Sequence, residues 1–177
     1  MKINGPKQAI RNKIGLVLPG NDEYGLVSTM SVEENICLSV SNNIHKKGAL
    51  LNKYGVFVIN ELNMVFNIDI RNNNCNVTAL SFGEQRKVLL GEWLAINPKV
   101  LILYEVTSRL DEINTWEIWN LLNDLAMKGI SLILMSRNIS ELVALSNRVV
   151  IMRDGEIYKI LQGGEVNSEI ITKEVFS

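Results

Sequence analysis

Leu80-Ser-Phe-Gly-Glu-Gln85 and, fifteen residues further on, Val100-Leu-Ile-Leu-Tyr-Glu105 are the two stretches whose reading decides the fold. The first is a short polar turn with a serine and a glycine. After it, Val88, Leu89, Trp93 and Leu94 form one apolar stripe of a helix that runs to Asn97-Pro98. The second is a continuous apolar strand with an acid at its carboxyl end, followed by Thr107 and Asp111. Ser81 stands three residues before Glu84, the pattern of a capping box, so Ser81 is expected to open the helix whatever else the turn does.

Outward from this centre, strands and helices alternate, which marks an α/β sheet. Upstream, Pro6–Lys13 reads as a short helix with proline in its first turn, and Ile14–Leu18 as a short buried strand. Ser31 with Glu34 repeats the capping-box pattern and opens a helix. Residues 48–79 are less orderly: Leu50, Leu51, Val56, Val58, Ile59, Leu62, Val65 and Phe66 recur at mostly helical spacing before the polar loop Arg71–Asn76. Downstream, an amphipathic helix over Glu112–Lys128 carries Ile113, Trp116, Ile118, Leu121, Leu122 and Leu125, and Gly129 ends it. Ile130–Met135 is the next strand and Ser140–Leu145 a short helix. Val149–Met152 and Glu156–Leu161 flank Asp154-Gly155, a hairpin turn signal. A last helix begins at Ser168.

The 177 residues fit one domain and are enough to bury a core. With 47% apolar residues and a formal net charge of −1, the chain lacks the composition of disorder and the basic surface that nucleic acid would need. Its longest apolar runs are strand-sized, far short of the ~20 residues that cross a bilayer, and the N-terminus reads as no signal peptide. Cys37 and Cys75 lie in unrelated segments without metal-ligand spacing and read as reduced bystanders. A soluble, cytoplasmic chain is the expectation.

The turn, helix, strand, acid, Thr107 and Asp111 together resemble the signature and Walker B region of ATP-binding-cassette (ABC) ATPases, L-S-G-G-N-Q followed by four apolar residues and D-E-P-T. The resemblance extends over nearly the whole chain. Pro6-Lys-Gln-Ala-Ile10, Ile14–Val17, Gly25-Leu-Val27 and Met30-Ser-Val-Glu-Glu-Asn35 are similar to the second, C-terminal cassette of monosaccharide (ribose, galactose, methyl-galactoside) importer ATPases. So are Gln85–Val88, Trp93–Ala95, Asn97-Pro98 and Asn147–Met152 with Asp154-Gly155. The implied fold is an incomplete P-loop NTPase-like parallel sheet with a helical subdomain insertion. The implied division is a post-phosphate-loop segment (1–30), a helical subdomain with the signature helix (31–95), a Walker B, D-loop and switch region (96–164) and a C-terminal helix (165–177). The implied cofactors are ATP and Mg²⁺. The implied partners are a second cassette and a sugar permease that holds the chain at the inner membrane face, with no nucleic acid. Permease contact would fall on Ser31–Asn35 and 50–66.

Several chemical positions depart from the pattern. Tyr104 stands where the Walker B aspartate would hold the ion's shell, and a phenol, with a reference pKa of about 10, does not replace a carboxylate. Glu105 occupies the catalytic-base position, or is a strand-end acid facing solvent. Val106 replaces a proline. Asp111 fits the D-loop aspartate, or caps the helix after it. Arg137 falls at the switch-histidine position. In the signature stretch Ser81, Phe82, Gly83, Glu84 and Gln85, Ser81 and Gly83 are retained, while Phe82 puts a ring where close backbone approach to nucleotide is needed. No stretch reads G-x-x-x-x-G-K-[ST]. Gly15–Gly20 has the glycine spacing, but Asn21 and Asp22 follow and Pro19 lacks a donor. Pro19 also falls near the Q-loop position. His45, beside Lys46 and Lys47, reads as a solvated loop residue. Trp116 and Trp119 read as core or partner-contact residues.

These readings point to a truncated, degenerate cassette of a sugar importer, not able to hydrolyse ATP alone. The alternative is a non-catalytic subunit that docks on a complete cassette or permease and supplies the signature in trans. A DNA-maintenance ATPase is disfavoured by the near-neutral charge and the Gly25–Asn35 stretch. For the sheet, the expectation is closure, with Ile130–Met135 pairing directly with Val149–Met152 and Val100–Tyr104 on its other side.

Overall fold

The computed structural model describes residues 3–19, 25–41, 59–60, 63–64 and 74–176. The expectations for Gly20–Asp22, His45, Leu50–Val58, Leu62, Val65, Phe66 and Arg71–Asn73 lie outside them. The described elements are α1 (Pro6–Arg11), β1 (Ile14–Val17), α2 (Val32–Ser41), α3 (Phe82–Leu94), β2 (Val100–Tyr104), α4 (Glu112–Met127), β3 (Ser131–Met135), α5 (Ile139–Leu145), β4 (Arg148–Arg153), β5 (Glu156–Gln162) and α6 (Ser168–Phe176). The chain divides into two compact units, Met1–Ile133 and Leu134–Ser177.

In the first unit β1 runs parallel to β2, with Ile14 opposite Val100 and Val17 opposite Leu103, in a sheet of order β1-β2-β3. Alternation sorts the side chains. Gly15, Val17, Leu101 and Leu103 are buried, whereas Ile14, Leu16, Val100, Ile102 and Tyr104 are partly buried or exposed. Gly15 is a packing glycine: a Cβ there would lie 2.7 Å from Leu101 and 2.8 Å from the Trp93 ring of α3. It sits within a strand. Gly25 has a similar role, its absent Cβ leaving room for Leu89, which would otherwise lie 2.2 Å away.

The Ser31 capping box is present: Glu34 N–H donates to Ser31 Oγ (3.2 Å), and Ser31 N–H donates to Glu34 Oε2 (2.8 Å). One turn on, the fully buried Asn35 organises the preceding loop. Its Oδ1 accepts from Val27 N–H (2.7 Å), and its Nδ2 donates to the carbonyls of Val27 (3.2 Å) and Ser31 (2.9 Å). Leu26, Val32 and Ile36 are buried around it.

On α4 the expected apolar set divides. Ile118, Leu121, Leu122 and Leu125 are buried, while Ile113 and Trp116 are 75% and 61% exposed. At ~100° per residue, positions 113 and 116 point well away from the 118/121/122/125 stripe. Trp116 instead lies against Trp119, ring centroids 6.1 Å apart.

The second unit is a hairpin backed by helices. β4 pairs antiparallel with β5, Val149 opposite Leu161 and Arg153 opposite Glu156. The turn residues Asp154 and Gly155 both have positive φ (49° and 82°), as a tight two-residue hairpin turn requires. Val149, Ile151, Leu161 and Ile171 form its core, with Ile139, Leu142, Val143, Val166 and Ile170 packed against them.

Ile130–Met135 does not pair with Val149–Met152. The strand it contributes, β3, lies beside β2 as expected, but among the described residues β4 has only β5 as its partner, in a separate sheet. The closure expectation assumed that unpaired edges would be buried. Alternate side chains are exposed on both strands, Ser131, Ile133 and Met135 on β3 and Arg148, Val150 and Met152 on β4.

Candidate functional site

Ser81 is the N-cap of α3, and both halves of its capping box form. Glu84 N–H donates to Ser81 Oγ (3.3 Å), and Ser81 N–H donates to Glu84 Oε2 (2.8 Å). The Ser81 hydroxyl also donates to Glu84 Oε2 (2.7 Å). The bonds from the Ser81 hydroxyl and amide hold the Glu84 carboxyl below its ordinary range. Gln85 is buried and donates to Leu80 O (3.0 Å), which ties the turn to its own helix. Phe82 projects into solvent, 59% exposed.

Gly83 is buried because α4 lies against it. A Cβ on Gly83 would sit 1.9 Å from Asn114 Oδ1. Asn114 is in turn held by Asp111, the N-cap of α4. Asn114 N–H donates to Asp111 Oδ1 and Asn114 Nδ2 donates to Asp111 Oδ2, each at 2.8 Å. The amide bond first and the side-chain bond second keep the Asp111 carboxyl below its ordinary range. Further along the helices, Lys87 Nζ bonds Glu117 (2.5 Å). Advancing from Gly83 to Lys87 thus advances from Asn114 to Glu117, so α3 and α4 run in the same direction. Their N-termini, the positive ends of both dipoles, lie at one end. The structure therefore joins the signature residues Ser81–Gln85 to Asp111 through Asn114.

Glu105 follows β2 in the left-handed region (φ 49°), an uncommon conformation for a residue with a side chain. Its carbonyl accepts from Ser108 N–H (3.0 Å), closing a turn over the fully buried Val106. Tyr104 and Glu105 are both partly buried. Arg137 belongs to the second unit and is exposed, between β3 and Asn138, whose Oδ1 caps α5 by accepting from Ser140 N–H (3.0 Å).

Three residues escaped the sequence reading. Asn114 carried a signal, since Asp-x-x-Asn ahead of an apolar helix is a near match to the capping box. Arg86 is 2% exposed, donates through Nη1 to Leu18 O (3.0 Å), and its Nε has no partner. Glu92 has a buried oxygen without a partner, and burial pushes its carboxyl up to about 8. No local pattern announces either buried charge.

Among the described residues no three His, Cys, Asp or Glu side chains are grouped to hold a metal. Nor is any described helix long and apolar enough to cross a membrane.

No protein-family model matches the chain. It is 34% identical over 169 residues to ribose import ATP-binding protein RbsA of Lactococcus lactis subsp. lactis, which covers 96% of this chain and 34% of that protein. To the RbsA protein of Geobacillus kaustophilus it is 31% identical over 173 residues, 98% of this chain and 35% of the relative. The chain thus spans about a third of the length of the curated relatives it matches. Among solved structures, cbiO1 from Clostridium perfringens, part of the ABC transporter complex cbiONQ, matches with a TM-score of 0.74 at 26% identity, over 97% of this chain and 66% of that one. The ATP-binding cassette MJ0796, in a dimeric post-hydrolysis state bound to ADP and Pi, matches with a TM-score of 0.67 at 22% identity, over 90% of this chain and 68% of that one.

Proposed function

We propose, for a chain that is homologous over nearly all its length to ribose import ATP-binding proteins and has the fold of an ABC ATPase cassette, that it is a degenerate cassette component of a sugar importer, unable to hydrolyse ATP alone. The observation that carries the importer reading is the 34% identity over 96% of the chain. In this reading Tyr104 carries the loss of turnover: phosphoryl transfer needs a metal to neutralise developing charge, and a phenol at the position expected for a carboxylate does not supply its ligand. Glu105 remains as the base position, and Ser81 and Gly83 as the signature pair. The partners in this reading are a second cassette and a sugar permease, which would hold the chain at the cytoplasmic face of the membrane. At Ser31–Asn35 the permease contact would fall to the exposed Glu34, since Val32 and Asn35 are buried.

A second reading, a non-catalytic subunit docked on a complete cassette or permease, is favoured by one observation. Phe82, Ile113 and Trp116 are exposed by 59%, 75% and 61% on the two helix ends that Gly83 and Asn114 bring together. Calorimetric titration of the purified chain with ATP and Mg²⁺ separates activity from its loss. The proposal expects no binding below the millimolar range. Micromolar binding that weakens on Tyr104→Phe would overturn it.

A further inference from the structure

The joined starts of α3 and α4 present rings among carboxylates. Phe82, Ile113 and Trp116 are largely exposed, and the contact of Gly83 with Asn114 brings them to one end of the helix pair. Ile113 and Trp116 stand three residues apart on α4 and so share a face. A lone exposed apolar side chain is ordinary, but two rings and an isoleucine gathered on adjoining helix starts mark an interaction surface. The polar groups between them are already engaged. Ser81 N–H and Oγ both donate to Glu84 Oε2 (2.8 and 2.7 Å), and the Asp111 carboxylate takes the Asn114 amide and side chain (2.8 Å each). These bonds hold the Glu84 and Asp111 carboxyls below their ordinary range, so both are charged at neutral pH. With the exposed Glu112, three carboxylates lie close to the caps Ser81 and Asp111, beside the single guanidinium of Arg109, while Lys87 and Glu117 pair with each other. Helix starts whose dipoles favour an anion thus carry a negative surface.

We propose that this end of the helix pair is a docking surface for a basic amphipathic helix of a partner protein, with apolar side chains against Phe82 and Ile113 and an arginine or lysine over Trp116 and the flanking carboxylates. Charge chooses the occupant. An anionic lipid surface or a nucleic acid would meet the same three carboxylates and be repelled. A second copy laid on the same face would set those carboxylates against their own likes. A cation gains from the carboxylates and from the ring faces together, and tryptophan is the best ring for it. An arginine can also stack flat on the indole while it bonds a carboxylate. The proposal rests on the reading of the chain as a docked subunit and adds the chemistry of what it docks on.

The probe is a synthetic amphipathic helix of leucine and arginine, titrated into the purified chain without ATP. Beside it run a counterpart with glutamate in place of each arginine, and vesicles of phosphatidylserine. The arginine peptide is expected to bind in the micromolar range, with NMR shift changes centred on Phe82, Ile113 and Trp116, and to weaken as salt rises. Trp116→Ala should weaken it about tenfold, as loss of a central aromatic anchor does, and Glu112→Gln severalfold. If the variants do not fold, the shift map of the wild type decides: changes at these helix starts support the proposal, and changes confined to other elements overturn it. No binding of the arginine peptide, equal binding of both peptides, or preference for the vesicles would also overturn it. The intact Lactococcus lactis relative is titrated in parallel. Its binding, if indifferent to Trp116→Ala, overturns the proposal and leaves the docked-subunit reading standing. Peptide binding at this end with no binding of the relative upholds the surface and counts against that reading.

Discussion

Gly83 and Phe82 are neighbours in one turn yet answer to different constraints. Gly83 is required by packing inside this chain, because Asn114 Oδ1 occupies the space of a Cβ at 1.9 Å. Gly83→Ala is therefore expected to destabilise the fold by about 1–3 kcal/mol, as overpacking does. In a double-mutant cycle with Asn114→Ala the loss should be partly recovered, giving a coupling of at least ~0.5 kcal/mol by urea denaturation. Strict additivity would show that α3 and α4 do not meet there. Glu92 poses the opposite problem, a partly buried acid with one buried oxygen that has no partner. Its carboxyl is raised from 4.5 to about 8 in the folded chain. The folded state then keeps a proton that the unfolded state has released, so stability falls as pH rises through that window. Glu92→Gln should flatten this slope and stabilise the chain at pH 8 by about 1–3 kcal/mol. A slope unchanged in thermal melts across the window would exclude the assignment. Asp111 as a helix cap was readable from its motif, whereas the packing of Gly83 against Asn114 and the burial of Arg86 and Glu92 depend on which helix lies against which, and nothing local encodes that.

Among elements, the helix starts were the most readable feature. Ser31 and Ser81 each form the predicted reciprocal pair with a glutamate three residues on, because a capping box is written entirely within four residues. Ser81→Ala should cost about 1 kcal/mol. The carboxyls of Glu34, Glu84 and Asp111 are all held below their ordinary range by cap bonds. Their contribution is thus present above the ordinary carboxylate range and lost as pH falls through the lowered values. Acid titration followed by circular dichroism should show the gap between Ser81→Ala and wild type narrowing, but not closing, at low pH, because Ser81 Oγ still accepts from the Glu84 amide once the carboxylate is protonated. A gap that does not change with pH would mean that the Glu84 carboxylate takes no part in it. The amphipathic helix was found within one residue, but its apolar list wrongly included Ile113 and Trp116. Composition cannot separate a core stripe from an exposed patch, and only the phase with Ile118–Leu125 does so.

At the level of the molecule, the alternation of strands and helices and the order of β2 beside β3 were readable, since crossover connections and short apolar runs constrain both. Pairing between distant strands was not. The closure expectation rested on burial of the facing edges, and β4 pairs with β5 in a separate sheet instead. The site positions fall into two units, with Tyr104, Glu105 and the signature in one and Arg137 in the other. The proposal that Tyr104 stands at the metal position is tested by turnover. The direct measurement is phosphate release from ATP with Mg²⁺ by the purified chain, beside Glu105→Gln and Tyr104→Asp. The proposed loss of the metal site predicts no release above background from the wild type, none gained by Tyr104→Asp alone, and no change on Glu105→Gln. Magnesium-dependent hydrolysis that disappears with Glu105→Gln would contradict it.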